Sequence, residues 1–293
     1  MDDGLLFVLG TGRCGSTLIH EVLARHRDVA FISNVDDRAR MPAWAGRLNQ
    51  PLHRLLPPEY ARKGRLRFAP SEGYDLLDRE VSPLLSNPYR DLVAADAQPW
   101  LSTRMVEVFE TRLQAQGKNM LLHKFTGWPR IGLLHEVFPR ARFINIVRDG
   151  RAVVNSWLQM PWWSGYRGPE QWWLGPLEPG DAEEYDASGR SFVVLAAIAW
   201  KILMRAYAET SSGLPESAYL ELRYEDIVAE PEKAFERMTA FAGLPFDDDF
   251  RRSLGRYRFD SSRTQAFRRD LSPGAQAQLE TSLREMLDRF GYA

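Results

Sequence analysis

The chain has 293 residues with 44% hydrophobic and 12% aromatic residues, which excludes disorder over most of its length. Its 38 Lys plus Arg nearly balance 39 Asp plus Glu, so the broad electrostatic footprint that an extended polynucleotide or an anionic membrane requires is missing, and only local basic sites remain open. A single cysteine, Cys14, excludes an internal disulfide and a Cys-rich zinc site.

In chain order, Leu5 to Leu9 is an apolar run that ends in a Gly-rich turn, Gly10 to Gly15, followed by a helical pattern from Ser16 to His26. That is a strand, loop and helix unit. Comparable runs recur at Val29 to Ile32, Met120 to Leu122, Phe143 to Val147 and Tyr219 to Leu222. Their continuous apolar character suits strands covered on both faces, as in a parallel sheet. Residues 36–118, rich in Pro and Arg, read as an elaborated crossover with helical patches at Tyr74 to Leu85 and Thr103 to Gln116. Leu133 to Phe138 reads as a short helix and Ala152 to Met160 as another, entered from Asp149 as N-cap. Residues 157–190 hold Trp157, Trp162, Trp163, Tyr166, Trp172 and Trp173 among Pro and Gly, the composition of a structured acceptor-side loop that either lines a cleft or packs on the core as a hydrophobic lid. Ser191 to Thr210 is expected as a long buried helix, and Ala275 to Phe290 as a terminal amphipathic one. The expectation is one α/β domain over residues 1–293 with a central, mainly parallel sheet flanked by helices. No apolar run reaches membrane-span length, and Met1 to Gly4 carries acids where a signal peptide carries bases, so the cytoplasm is the expected compartment.

The loop Gly10-Thr11-Gly12-Arg13-Cys14-Gly15-Ser16-Thr17 matches a dinucleotide G-x-G-x-x-G and nearly matches a P-loop. Either way it sets an anion at a helix N-terminus, where unsatisfied N–H groups and the helix dipole favour phosphate. Ser16 stands where a P-loop would have its lysine, which disfavours NTP hydrolysis. Asp36 and Asp37 follow the second strand about 20 residues downstream, where a dinucleotide fold places its ribose-binding acid, and keep an NAD(P)-dependent oxidoreductase open. A non-catalytic nucleotide-binding module is the third reading.

A second anion site is suggested by Ile146-Val147-Arg148-Asp149-Gly150-Arg151, with Ser156 two helical turns on, so that Arg148 and Ser156 can address one phosphate. With this segment the sequence resembles the sulfotransferases that use 3′-phosphoadenosine 5′-phosphosulfate (PAPS). In that family a G-x-x-R-[SC]-G-[ST]-[ST] loop holds the 5′-phosphosulfate and R-D-x-R-x-x-x-x-S holds the 3′-phosphate. Arg13 to Thr17 and Arg148 to Ser156 match in order and spacing. Leu222 to Ile227, which includes Tyr224, is similar to the adenosine-side segment. Phe267 to Ser272 and the chain end through Gly291 and Tyr292 are similar to the C-terminal region.

The resemblance implies a P-loop-like phosphosulfate-binding loop and transfer of a sulfuryl group from PAPS to a hydroxyl or amine of a small-molecule, carbohydrate or lipid-like acceptor. It implies no metal, because fixed cations take the place that Mg²⁺ has in phosphoryl transfer; the charge balance and the absence of a long apolar run already argue against nucleic acid and a membrane span. Arg13, Cys14, Gly15, Ser16, Thr17, Arg148, Ser156 and Tyr224 are the implied donor-binding residues, and Arg13 and Lys124 the cations at the transferring group. Arg263 and Arg268 could add charge at the 3′-phosphate. Thr126 stands where one branch of the family carries its histidine base. His123 neighbours Lys124, but strand alternation sends it to the opposite face. The base is therefore expected among Asp36 and Asp37, with Glu72 and Glu80 next.

Overall fold

Apolar runs need cover on both faces, and the runs at Leu5 to Leu9, Val29 to Phe31, Met120 to Leu122 and Phe143 to Val147 receive it, whereas the one at Tyr219 to Leu222, on the edge of the sheet, leaves Glu221 exposed. The computed structural model describes residues 4–58 and 68–292; Met1 to Asp3 of the N-terminal reading and residues 59–67 of the crossover lie outside them. The strands are β1 (Leu5–Leu9), β2 (Val29–Phe31), β3 (Met120–Lys124), β4 (Arg142–Val147) and β5 (Tyr219–Arg223). They form one sheet in the order β2-β3-β1-β4-β5 with every pairing parallel, for example Leu6 opposite Leu122 and Phe7 opposite Phe143.

Alternation along β1 divides two cores. Leu6 and Val8 face helix α1 (Ser16–Leu23) and a helix at Pro231–Ala242, together with Ile144, Leu222 and Phe235. Leu5, Phe7 and Leu9 face the helices Pro99–Gln116 and Ile131–Val137, together with Phe109, Leu134 and Phe143. A third cluster joins the helices Gly150–Leu158, Phe192–Ser211 and Pro273–Arg289 around Trp157 and Trp200. At about 25 cal/mol per Å², burial on this scale is the dominant favourable contribution to folding.

The apolar runs keep their predicted places, while several helix ends shift. α1 stops at Leu23 instead of running to His26, because Arg25 and His26 close turns onto Val22 and Leu23. The helix at Tyr74 ends at Glu80 and the one preceding Gln116 begins at Pro99, with proline in its first turn. Short helices at Asn34–Ala39, Asn49–Leu55, Pro179–Ala187 and Asp248–Leu254 lie where no helix is expected from the apolar pattern.

The sheet order matters for the site. The chain leaves β1 toward β2 and β3 on one side and reaches β4 and β5 on the other. Ligands in open parallel sheets bind beyond the C-terminal strand ends at such a reversal. The loops after β1, β3 and β4 meet there.

Candidate active site

β1 delivers the chain into a loop with three left-handed residues, Gly12 (φ 83°), Arg13 (φ 57°) and Gly15 (φ 92°). Gly15 is the N-cap of α1, and no side chain caps this end, so the first-turn N–H groups are available to an anion. A Cβ on Gly15 would lie 2.3 Å from the Tyr224 ring, so the aromatic ring can press on the loop only where the side chain is hydrogen. The Cys14 side chain is buried in the core, which leaves its backbone alone to face a ligand.

Lys124 ends β3 and is 5% exposed. Its Nζ donates to Thr17 Oγ1 at 2.8 Å and lies 3.1 Å from Glu72 Oε1. Thr126 Oγ1 donates to the same Glu72 oxygen at 2.8 Å. Lysine, threonine and carboxylate thus converge beside the loop at the C-terminal edge of the sheet. Arg130, buried nearby, donates to the carbonyls of Thr126 at 3.2 Å and Leu85 at 2.8 Å and fixes the turn that carries Thr126.

β4 delivers Arg148. Its Nη1 donates to Arg13 O and its Nη2 to Arg263 O, both at 2.8 Å, and its guanidinium lies 4.8 Å from the Tyr224 ring centroid. Arg13 Nε donates to Ser156 Oγ at 2.8 Å. Arg13, Arg148, Ser156 and Tyr224, separated widely in sequence, therefore meet, and Arg263 joins them. Partial burial and the charges of Arg148 and Arg263 hold Arg13 below its ordinary pKa. Among the described residues no carboxylate pairs with these three arginines, and Arg148 Nε is buried without a partner. Asp260 acts on Arg263 electrostatically without an ion pair, and positive charge gathered with so little compensation is the arrangement an anion relieves. Arg151, by contrast, is neutralised by Asp149 and Glu280 at 2.9 and 2.7 Å, and Arg268 lies over Phe267.

The acids expected as bases occupy different surroundings. Asp36 is buried and accepts from Ser33 N, Ser33 Oγ and Asn49 Nδ2 at 2.8, 2.9 and 2.5 Å, as the third residue of a capping box. Asp37 accepts from Leu76 N at 2.9 Å and Ser71 Oγ at 3.0 Å, and burial pushes its pKa up. Both carboxylates are committed to holding the segment after β2. Glu80 pairs with Arg112 at 2.8 Å, away from Lys124. His123 lies on the opposite face, packed against Phe109 and Phe125, and burial lowers its pKa to about 3. Glu72 is the carboxylate beside Lys124; in sequence it is one acid among several in a long segment, with no local pattern to distinguish it.

The aromatic loop divides. Trp157 and Trp163 are buried and stacked at 5.8 Å, whereas Trp162 and Tyr166 are exposed. Trp173 is half-buried, with its ring 3.4 Å from the Cβ position of Gly127, directly after Thr126.

Comparison with known proteins agrees with this geometry. Across 99% of the chain and 76% of the relative, the sequence is 25% identical to the ω-hydroxy-β-dihydromenaquinone-9 sulfotransferase Stf3 of Mycobacterium bovis, and equally to that of Mycobacterium tuberculosis. The fold is similar to the sulfotransferase domain of the Synechococcus PCC 7002 olefin synthase, with a TM-score of 0.56, 17% identity and coverage of 99% and 94% of the two chains. It is equally similar to sulfotransferase STF9 of Mycobacterium avium, with a TM-score of 0.56, 15% identity and coverage of 99% and 77%. The model of the sulfotransferase family matches residues 6–248, a span that includes the anion loop, Lys124 and Arg148. The chain belongs to that family and is a sulfotransferase.

Proposed function

We propose that the enzyme takes its sulfuryl group from PAPS and passes it to a hydroxyl on an apolar, lipid-like acceptor, with Glu72 as general base. The observation that carries the donor assignment is the trio Arg13, Arg148 and Arg263, without carboxylate partners, gathered at Ser156 and Tyr224. A 3′-phosphate there would neutralise them, and the loop N–H groups would hold the 5′-phosphosulfate. The Tyr224 ring offers the adenine side a flat face.

In the transfer, the acceptor oxygen attacks sulfur in line, the bond from sulfur to the bridging oxygen breaks, and its electron pair stays on the leaving bisphosphate. Lys124, Thr17 and the loop amides are placed to stabilise the charge that develops there. Both close contacts of Glu72 fall on Oε1, which leaves Oε2 to accept the proton of the acceptor hydroxyl. The acceptor class is supported by the exposed Trp162 and Tyr166 and by Trp173 beside Gly127, and by the ω-hydroxylated dihydromenaquinone named for the mycobacterial relative.

Titration calorimetry tests the donor assignment. Adenosine 3′,5′-bisphosphate should bind far more tightly than adenosine 5′-phosphate, and Arg148→Ala should weaken only the bisphosphate, by about 10- to 100-fold. Equal affinities, or tight binding of NAD, would refute the assignment.

A further inference from the structure

A second surface, on the segment after β2, is folded inside out with respect to polarity. A single-turn-rich helical run covers Ala43–Leu48 and continues through Asn49–Leu55. Its inward side holds Ala45, Gly46, Asn49, Gln50 and His53, all buried. Three of these are polar and occupied: Asn49 Nδ2 donates to Phe31 O at 3.0 Å, Gln50 Nε2 to His26 O at 3.4 Å, and the His53 ring pairs with Glu21 O at 2.9 Å. They cover the free edge of β2, where an uncovered strand would recruit other chains. The outward stripe, at spacing i, i+3, i+4, i+7 and i+11, is Trp44, Arg47, Leu48, Pro51 and Leu55. Trp44 is 59%, Leu48 50% and Leu55 75% exposed, and Met41 just before them is 37% exposed. Apolar side chains stand where a helix at a protein surface normally carries polar ones.

The charge of the segment says what would cover it. Residues 38–58 contain four arginines and no Asp or Glu, in a chain whose overall charge is -1. Arg54 is neutralised by Asp249 at 2.6 Å. Arg38, Arg40 and Arg47 are exposed, and no carboxylate among the described residues pairs with them. The near-neutral total conceals a local basic and apolar strip. Trp, Leu and Met beside unpaired Arg match the boundary of an anionic bilayer, where the indole and aliphatic groups enter the headgroup region and the guanidinium groups meet lipid phosphate.

We propose that this strip docks the enzyme on an anionic membrane surface. Among the described residues no helix is long and apolar enough to cross a membrane, so the contact lies in the surface plane. The strip is rooted beside the site, because Asp37, which precedes it, accepts from Ser71, the neighbour of Glu72. The inference does not depend on the donor or the acceptor, and its test uses neither.

The test is co-sedimentation of the full chain with phosphatidylcholine vesicles in which phosphatidylglycerol is about one third of the lipid, set against pure phosphatidylcholine. The wild type should pellet with the mixed vesicles, and less at high salt. Arg40→Gln with Arg47→Gln should lower the partition coefficient about 25-fold, taking about fivefold per arginine. Trp44→Ser with Leu48→Ser should lower it about tenfold or more. Both double variants should keep the wild-type Tm and circular dichroism, since the changed side chains are exposed and the bond lost with them is the exposed one from Arg47 Nε to Trp44 O at 3.0 Å. Wild type that stays in the supernatant, or variants that bind as well as wild type, would overturn the proposal. So would a concentration-dependent dimer, abolished by the Trp44 and Leu48 changes, in a protein that ignores vesicles; the face would then belong to a second copy of the chain.

Discussion

Glu72 differs from Asp36 and Asp37 in where it stands. It lies beside Lys124 and Thr126, held through Oε1, whereas Asp36 accepts three bonds on Oδ2 inside a capping box and Asp37 has both oxygens bonded to Ser71 and Leu76. Proton abstraction needs an oxygen that can reach the acceptor. Glu72→Gln keeps the hydrogen bond to Thr126 and removes the basicity, so turnover should fall by roughly 10² to 10⁴ while affinity for the bisphosphate stays near wild type. Lys124→Ala should also retain bisphosphate binding and lose roughly 10²-fold in turnover, because its contact strengthens as charge develops. Steady-state kinetics beside calorimetry separates these outcomes; a parallel loss of binding and turnover would make Lys124 a ground-state contact.

At the scale of elements, the loop after β1 and the helix after β2 fail in different ways. Gly15→Ala would force a Cβ to 2.3 Å from the Tyr224 ring at φ 92°, so both Tm and bisphosphate binding should drop sharply. Gly117→Ala is the control: its φ of 61° carries the backbone cost, about 1 to 2 kcal/mol, but nothing lies within 4 Å of the added carbon. If the two variants bound bisphosphate alike, the close approach of Tyr224 to the loop would be irrelevant to the donor. Asp36→Ala removes a capping box and leaves the buried Asn49 amide with one partner fewer, a loss of about 1 to 3 kcal/mol in denaturant unfolding with little change in turnover per folded molecule. A catalytic aspartate would show the reverse.

For the whole molecule, the buried histidines set the acid limit. Burial holds His53 at about 4 and His123 at about 3, and lowers His20 and His26 as well. In the unfolded chain these groups take up protons near pH 6.5, while in the folded state they stay neutral to lower pH. The unfolded state therefore binds more protons between these limits, and stability falls as pH drops from about 6.5 toward 4. His123 has no hydrogen bond on either ring nitrogen and sits among Phe7, Phe109 and Phe125. His123→Phe should accordingly flatten the decline of Tm between pH 6.5 and pH 4. An unchanged slope would show that His123 is not among the groups responsible.

The strand runs, the anion loop, Lys124 and the Arg148 to Ser156 segment were legible in the sequence because each is local: apolar runs mark strands buried on both faces, and glycines before a helix mark an anion site. The parity that sends Lys124 and His123 to opposite faces is local too, a consequence of the two-residue period of a strand. Pairing across long separations was not. Only the order β2-β3-β1-β4-β5 brings the loops after β1, β3 and β4 together, and only the path of the 36–118 segment sets Glu72 at Thr126 while tying Asp36 and Asp37 into helix ends. Arg263 reaches Arg148 from 115 residues away. A carboxylate carries the same symbol in a cap as in a site, and what distinguishes the two is which donors the folded chain leaves within reach.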